Sequence, residues 1–133
     1  MSTPITEGVH HLGLTVSDLS VSRDFFVEAL GFKLLGQDTD YPAVFVSDDI
    51  TIITLWLADQ NHNDFDRKLN IGLHHVALKV SSMDALTQLY FNLSRWPGVE
   101  LEGSIKKTEE KLEKNYFFIR MPGGPRLEFR FPN

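Results

Sequence analysis

The chain has 133 residues, 42% of them hydrophobic and 11% aromatic, enough for one well-buried core and too few for two ordinary domains. Its formal net charge of -5 comes without a clustered basic stripe, which argues against nucleic acid, and the absence of cysteine excludes disulfides, thiolate metal sites and cysteine nucleophiles. No apolar run approaches the ~18 residues of a membrane span and no secretory leader pattern opens the chain, so the expected partner is a small molecule and the expected compartment the cytoplasm.

In chain order, the first element is an alternating run through His11-Leu12-Gly13-Leu14-Thr15-Val16. A helix follows, with Phe25, Phe26, Ala29 and Leu30 at helical spacing, Asp18 or Ser20 as cap and Gly31 as stop. Strands are predicted near Lys33–Gly36, Ala43–Ser47 and Thr51–Leu57, the last two separated by the turn-forming Asp48-Asp49. A polar linker runs over 59–71. The second half repeats the order: a strand over Leu73–Val80, a helix burying Leu86, Leu89, Tyr90 and Leu93 and ended by Pro97-Gly98, then strands near Val99–Ile105, Tyr116–Met121 and Arg126–Phe131. The mixed-charge run Lys106–Lys114 reads as a solvated hairpin loop, with a mobile lid as the alternative.

The repeat is visible residue by residue. Gly8-Val9-His10-His11-Leu12-Gly13-Leu14-Thr15-Val16-Ser17-Asp18 and Gly72-Leu73-His74-His75-Val76-Ala77-Leu78-Lys79-Val80-Ser81-Ser82 agree at six of eleven positions, histidine pair included. The expectation is one domain over 1–133 made of two half-size modules, about 7–58 and 72–133.

Side chains alternate across a strand, so residues two apart share a face. Leu12, Leu14 and Val16 form an apolar face for a helix to cover, which leaves His11, Gly13 and Thr15 on the other. In the second copy Val76, Leu78 and Val80 face the core, and His75 repeats the placement of His11. His10 and His74 are expected to begin the helix-facing rows. The last strand puts Glu128 between Arg126 and Arg130 on the face opposite Leu127, Phe129 and Phe131, and Thr54 holds the equivalent place in the first module, with Trp56 beside it.

A curved sheet carrying His11, His75 and Glu128 on its inner face offers two imidazoles and one carboxylate. That set suits Fe(II), Mn(II), Zn(II) or Ni(II), with positions left for water or substrate. Each residue also has a plainer reading: a strand histidine as a hydrogen-bonded group, a glutamate between arginines as an ion pair. Repetition of the histidine on the same face favours the metal site. Thr54, Trp56, Tyr116, Phe118, Arg120 and Arg126 are candidates for the substrate pocket, the aromatics as walls and the arginines as balance for an anionic group.

These residues resemble the vicinal oxygen chelate superfamily: the glyoxalase, fosfomycin-resistance, bleomycin-resistance and extradiol-dioxygenase relatives. The resemblance rests on His11 to Asp18, Ser22-Arg-Asp-Phe-Phe26, Leu30-Gly-Phe32, His75 to Val80 and Tyr116 to Glu128. It implies an α+β fold of two βαβββ modules, their strands forming a curved, cupped mixed sheet with helices outside. It also implies metal ligands at the positions of His11, Thr54, His75 and Glu128, three of which are ligand types here. Glyoxalase I enzymes usually carry a glutamate at the position of Thr54, whereas fosfomycin thiol transferases and extradiol dioxygenases need only two histidines and a glutamate. Further departures are Gly13 for a threonine, Phe118 for a tyrosine, and Met121 at the start of the Met121-Pro122-Gly123-Gly124 turn where the family has aspartate. The resemblance thus implies a metal-dependent enzyme chelating a small oxygenated substrate, in a homodimer. The alternative is a metal-free protein that sequesters a drug or metabolite, as bleomycin-resistance relatives do.

Overall fold

The computed structural model describes residues 2–102 and 112–132. Strand β1 (His11–Val16) leads to helix α1 (Leu19–Asp24), which widens into a π-helical turn over Phe25–Ala29; β2 (Lys33–Asp38), β3 (Ala43–Ser47) and β4 (Ile52–Leu57) follow. The second half runs β5 (Val76–Lys79), α2 (Met83–Leu93), β6 (Glu100–Glu102), β7 (Tyr116–Arg120) and β8 (Arg126–Arg130). Each half forms its own four-stranded sheet, in the orders β1-β4-β3-β2 and β5-β8-β7-β6, with the outer strand parallel to its neighbour and the rest antiparallel. This is the α+β, duplicated βαβββ architecture the sequence predicts. The run Lys106–Lys114 lies mostly outside the described residues.

The two helices start in the same way. Asp18 accepts a hydrogen bond from the Val21 N–H at 3.1 Å, and Ser82 accepts one from Ala85 at 3.0 Å, so each cap satisfies an N–H that the helix cannot. The helices end differently. Phe25 and Phe26 are adjacent and both fully buried, and the turn that carries them is π-helical, closed by Leu30 N–H to Phe25 C=O at 3.1 Å. Periodicity predicted the helix but not this turn.

Core side chains of both halves, among them Leu14, Phe25, Phe26, Ile53, Leu55, Leu86, Tyr90, Phe117, Leu127 and Phe129, form one contiguous apolar cluster. The halves are also joined by hydrogen bonds at the β7–β8 turn: the Ser17 N–H donates to Gly123 C=O at 2.9 Å and the buried Ser22 hydroxyl to Pro122 C=O at 3.2 Å. Gly123 has a φ of 100°, and a Cβ there would collide with the Ser22 hydroxyl, so the joint requires glycine on both counts.

Candidate metal and substrate site

The apolar face of each sheet enters the core, leaving the opposite face for chemistry. Strand register lines up two equivalent rows across these faces. In the first sheet Gly13 pairs with Thr54, Thr54 with Phe45 and Phe45 with Gly36; in the second Ala77 pairs with Glu128, Glu128 with Phe118 and Phe118 with Glu102. Thr54 and Glu128 are therefore structural counterparts, as the sequence alignment of the halves requires.

The second sheet's row is charged. Glu128 is only 5% exposed, and its carboxylate is shared: one oxygen lies 3.3 Å from His75 Nε2 and the other accepts from Arg130 Nε at 2.6 Å. The Arg130 guanidinium stacks 4.7 Å above the Tyr116 ring. Arg126, on the other side of Glu128, turns away from it to donate to Glu102 at 3.0 Å while lying 3.9 Å over Phe118. Arg67 of the linker approaches the same Glu102 oxygen at 3.6 Å. Arg126 Nη1 and Glu102 Oε1 are buried without a hydrogen-bond partner among the described residues. Arg120 is exposed and donates to Gly124 C=O at 3.3 Å, bracing the β7–β8 turn.

The first sheet's row is uncharged. Trp56 Nε1–H donates to the Thr54 hydroxyl at 2.8 Å, and that hydroxyl reaches toward Leu12 C=O at 3.4 Å. Tyr41 packs edge-on against Trp56 at 4.9 Å and Phe45 does so at 6.1 Å, making an aromatic wall. Gly13 keeps that wall open at β1, because a Cβ there would stand 3.3 Å from the Thr54 hydroxyl and 3.4 Å from Trp56 Nε1.

His75 and Glu128 come together, but His11 does not join them. Among the described residues no three His, Asp or Glu side chains gather as a metal-binding group. The exposed His11 sits on β1, an edge strand, and His75 immediately precedes β5, the corresponding edge of the other sheet. The neighbouring histidines differ from the expected placement. His10 and His74 are exposed rather than facing the helices, and each turns its ring against the next residue, with Nδ1···Nδ1 separations of 2.9 Å for His10–His11 and 2.7 Å for His74–His75. His74 is held below the usual imidazole pKa, first by partial desolvation among its neighbours and then by electrostatic interaction with His75, Arg126 and Arg67. In the linker, the Lys68 and Leu69 N–H groups lower the pKa of Asp66, fixing the turn that presents Arg67.

The donor chemistry fits a divalent metal. Two donors each about 2.1 Å from one ion stand roughly 3 Å apart, and His75 Nε2 and Glu128 Oε1 already stand 3.3 Å apart. Imidazole and carboxylate are the ligand types of the 2-His-1-carboxylate class. Arg130, bonded to the second carboxylate oxygen, fixes how Glu128 presents the first. The plainer reading of Glu128 as an ion-pair partner holds too: Arg130 engages it, while Arg126 pairs with Glu102. Glu102, Arg67 and Arg130 had no motif to single them out; only the closeness of Arg130 to Glu128 in sequence hinted at a role.

A duplicated βαβββ fold carrying this histidine–carboxylate pair defines a class, and the chain belongs to it: the glyoxalase/bleomycin resistance protein/dioxygenase superfamily, whose family model matches residues 8–129. The metallothiol transferase FosB of Lysinibacillus sphaericus (strain C3-41) is 29% identical over 126 residues, 92% of this chain and 81% of that protein. A glyoxylase/bleomycin resistance protein/dioxygenase domain from Frankia sp. EAN1pec shares the fold with a TM-score of 0.77 and 26% identity, covering 96% of this chain and 99% of that one. A point mutant of the fosfomycin resistance protein FosX from Listeria monocytogenes, solved with Mn(II) and 1S,2S-dihydroxypropylphosphonic acid, superimposes with a TM-score of 0.71 at 13% identity over 97% of this chain and 93% of that one. At that identity the likeness concerns the fold.

Proposed function

We propose that the protein is a divalent-metal-dependent enzyme whose site is shared by two subunits of a homodimer, His11 of one chain meeting His75 and Glu128 of the other. The observation that carries this reading is the 3.3 Å approach of His75 Nε2 to Glu128 Oε1 while His11 stands on a separate, open sheet edge. Among the described residues β1 and β5 are edge strands with another strand paired on one side only, a kind of surface that proteins cover or pair. Val9, Ile50, Leu69 and Ile71 are largely exposed apolar residues in the segments flanking them or turning back toward them, and a second subunit would bury such surface.

The reaction supported best is transfer of a thiol onto a small, oxygen-bearing electrophile, by likeness to the FosB relative. When bound, the metal supplies Lewis-acid stabilisation of negative charge developing on a substrate oxygen. The thiolate forms a carbon–sulfur bond as a carbon–oxygen bond breaks, and the departing oxygen takes a proton from solvent. Arg130 holds Glu128 in place, and Trp56 with Tyr41 and Phe45 walls the apolar part of the substrate. Thr54 supplies no carboxylate to move a carbon-bound proton, so glyoxalase I isomerisation is expected to be very weak.

Subunit complementation tests the shared site. Metal quantitation should find near one ion per wild-type chain and none in His11→Ala or His75→Ala. Mixing and refolding the two variants should restore binding, because the heterodimer regains one intact site. No recovery on mixing would place the ligands in one chain; full metal content in His75→Ala would remove the metal site altogether and favour a metal-free binding protein.

A further inference from the structure

The sequence repeats a histidine pair, yet the proposed metal site uses only the second member of each. The first members are not idle. In both halves the pair meets Nδ1 to Nδ1, at 2.9 Å and 2.7 Å, and the rings cross edge-to-face with centroids 5.2 and 5.0 Å apart. Two neutral imidazoles in that contact must divide their roles, one Nδ1 donating and the other accepting. His75 has its other nitrogen, Nε2, beside Glu128.

We infer that His10 and His74 are positioning residues, each accepting the Nδ1–H of its neighbour so that His11 and His75 present the Nε2 lone pair to a divalent metal. This rests on the proposed metal site. A ligating histidine normally donates its second ring N–H to an acceptor that fixes tautomer and ring orientation, and in this chain the acceptor beside His75 Nδ1 is the imidazole of His74.

The experiment uses zinc as a diamagnetic probe of the full-length protein with ¹⁵N-labelled histidine. Nitrogen spectra of the zinc-loaded form should show His75 protonated at Nδ1, with ¹⁵N–¹⁵N coupling across the hydrogen bond to an unprotonated His74 Nδ1. His74→Ala should weaken zinc binding about 10-fold, the low end for an outer-sphere partner of a metal ligand, and His74→Asn, which keeps an acceptor, should recover most of it. His10→Ala should repeat the loss through His11. A proton retained on His74 Nδ1 in the zinc form, or zinc affinity in His74→Ala equal to wild type, overturns the inference. Zinc retained by His75→Ala would instead overturn the metal-site reading beneath it.

Discussion

The two sheets have the same strand order and opposite chemistry. In the first, the row across the open face is Gly13, Thr54, Phe45 and Gly36; in the second it is Ala77, Glu128, Phe118 and Glu102. The charged row holds Glu128 between His75 and Arg130, while the uncharged row ties Thr54 to Trp56 and backs it with aromatic rings. The matched positions thus carry charged hydrogen-bonding groups on one face and uncharged, aromatic-backed groups on the other. The cores did not diverge in this way, since both inner faces remain apolar.

That contrast can be broken most forcefully in the core, where the halves should behave alike. Phe25→Ala in the first half and Phe117→Ala in the second each empty a fully buried aromatic site, and each should cost about 3–5 kcal/mol. Denaturant unfolding monitored by circular dichroism checks the pair; a small loss in one half alone would show that its core is not shared.

Ligand removal should separate the faces. Glu128→Ala should lower metal affinity by more than the roughly 100-fold ceiling for losing an outer-sphere partner, while Thr54→Ala at the matched position should leave affinity unchanged. Isothermal titration with Mn(II) or Zn(II) reads both, and equal losses would erase the distinction between the rows.

Thr54→Glu sharpens the comparison from the other side by making the rows alike. The new carboxylate should tighten metal binding and raise isomerisation of the methylglyoxal–glutathione adduct on the order of 10²-fold above a very weak wild-type rate, the lower end of what a general base contributes. Robust wild-type turnover of that adduct would show that another base serves and that Thr54 is not the decisive difference.

The smallest effects belong to the matched helix caps. Asp18→Ala and Ser82→Ala each leave one helical N–H unsatisfied and should each cost about 1 kcal/mol. Thermal unfolding of the two variants should shift by similar amounts; a much larger loss at Asp18 would point to the adjoining joint at Ser17 and Ser22, not to the cap.

Much of this was legible in the chain because it depends on local pattern. Alternation set the faces of β1, β4 and β8, so Gly13, Thr54, Trp56 and Glu128 could be assigned to the open face from parity alone, and the Asp18 cap and the Asp48-Asp49 turn follow from short-range hydrogen bonding. The repeated Gly-x-His-His phrase fixed the duplication, and its family resemblance the fold. Tertiary structure decided what local pattern cannot encode. Two consecutive, fully buried phenylalanines sit in a π-turn that helical periodicity does not foretell. Parity gives a face but no distance, so only packing could pair Arg126 with Glu102 instead of Glu128, close Arg130 onto Glu128, and lay His74 against His75. It also set His11 on the edge strand of one sheet and His75 beside the edge strand of the other, because each sheet is completed by its own strands.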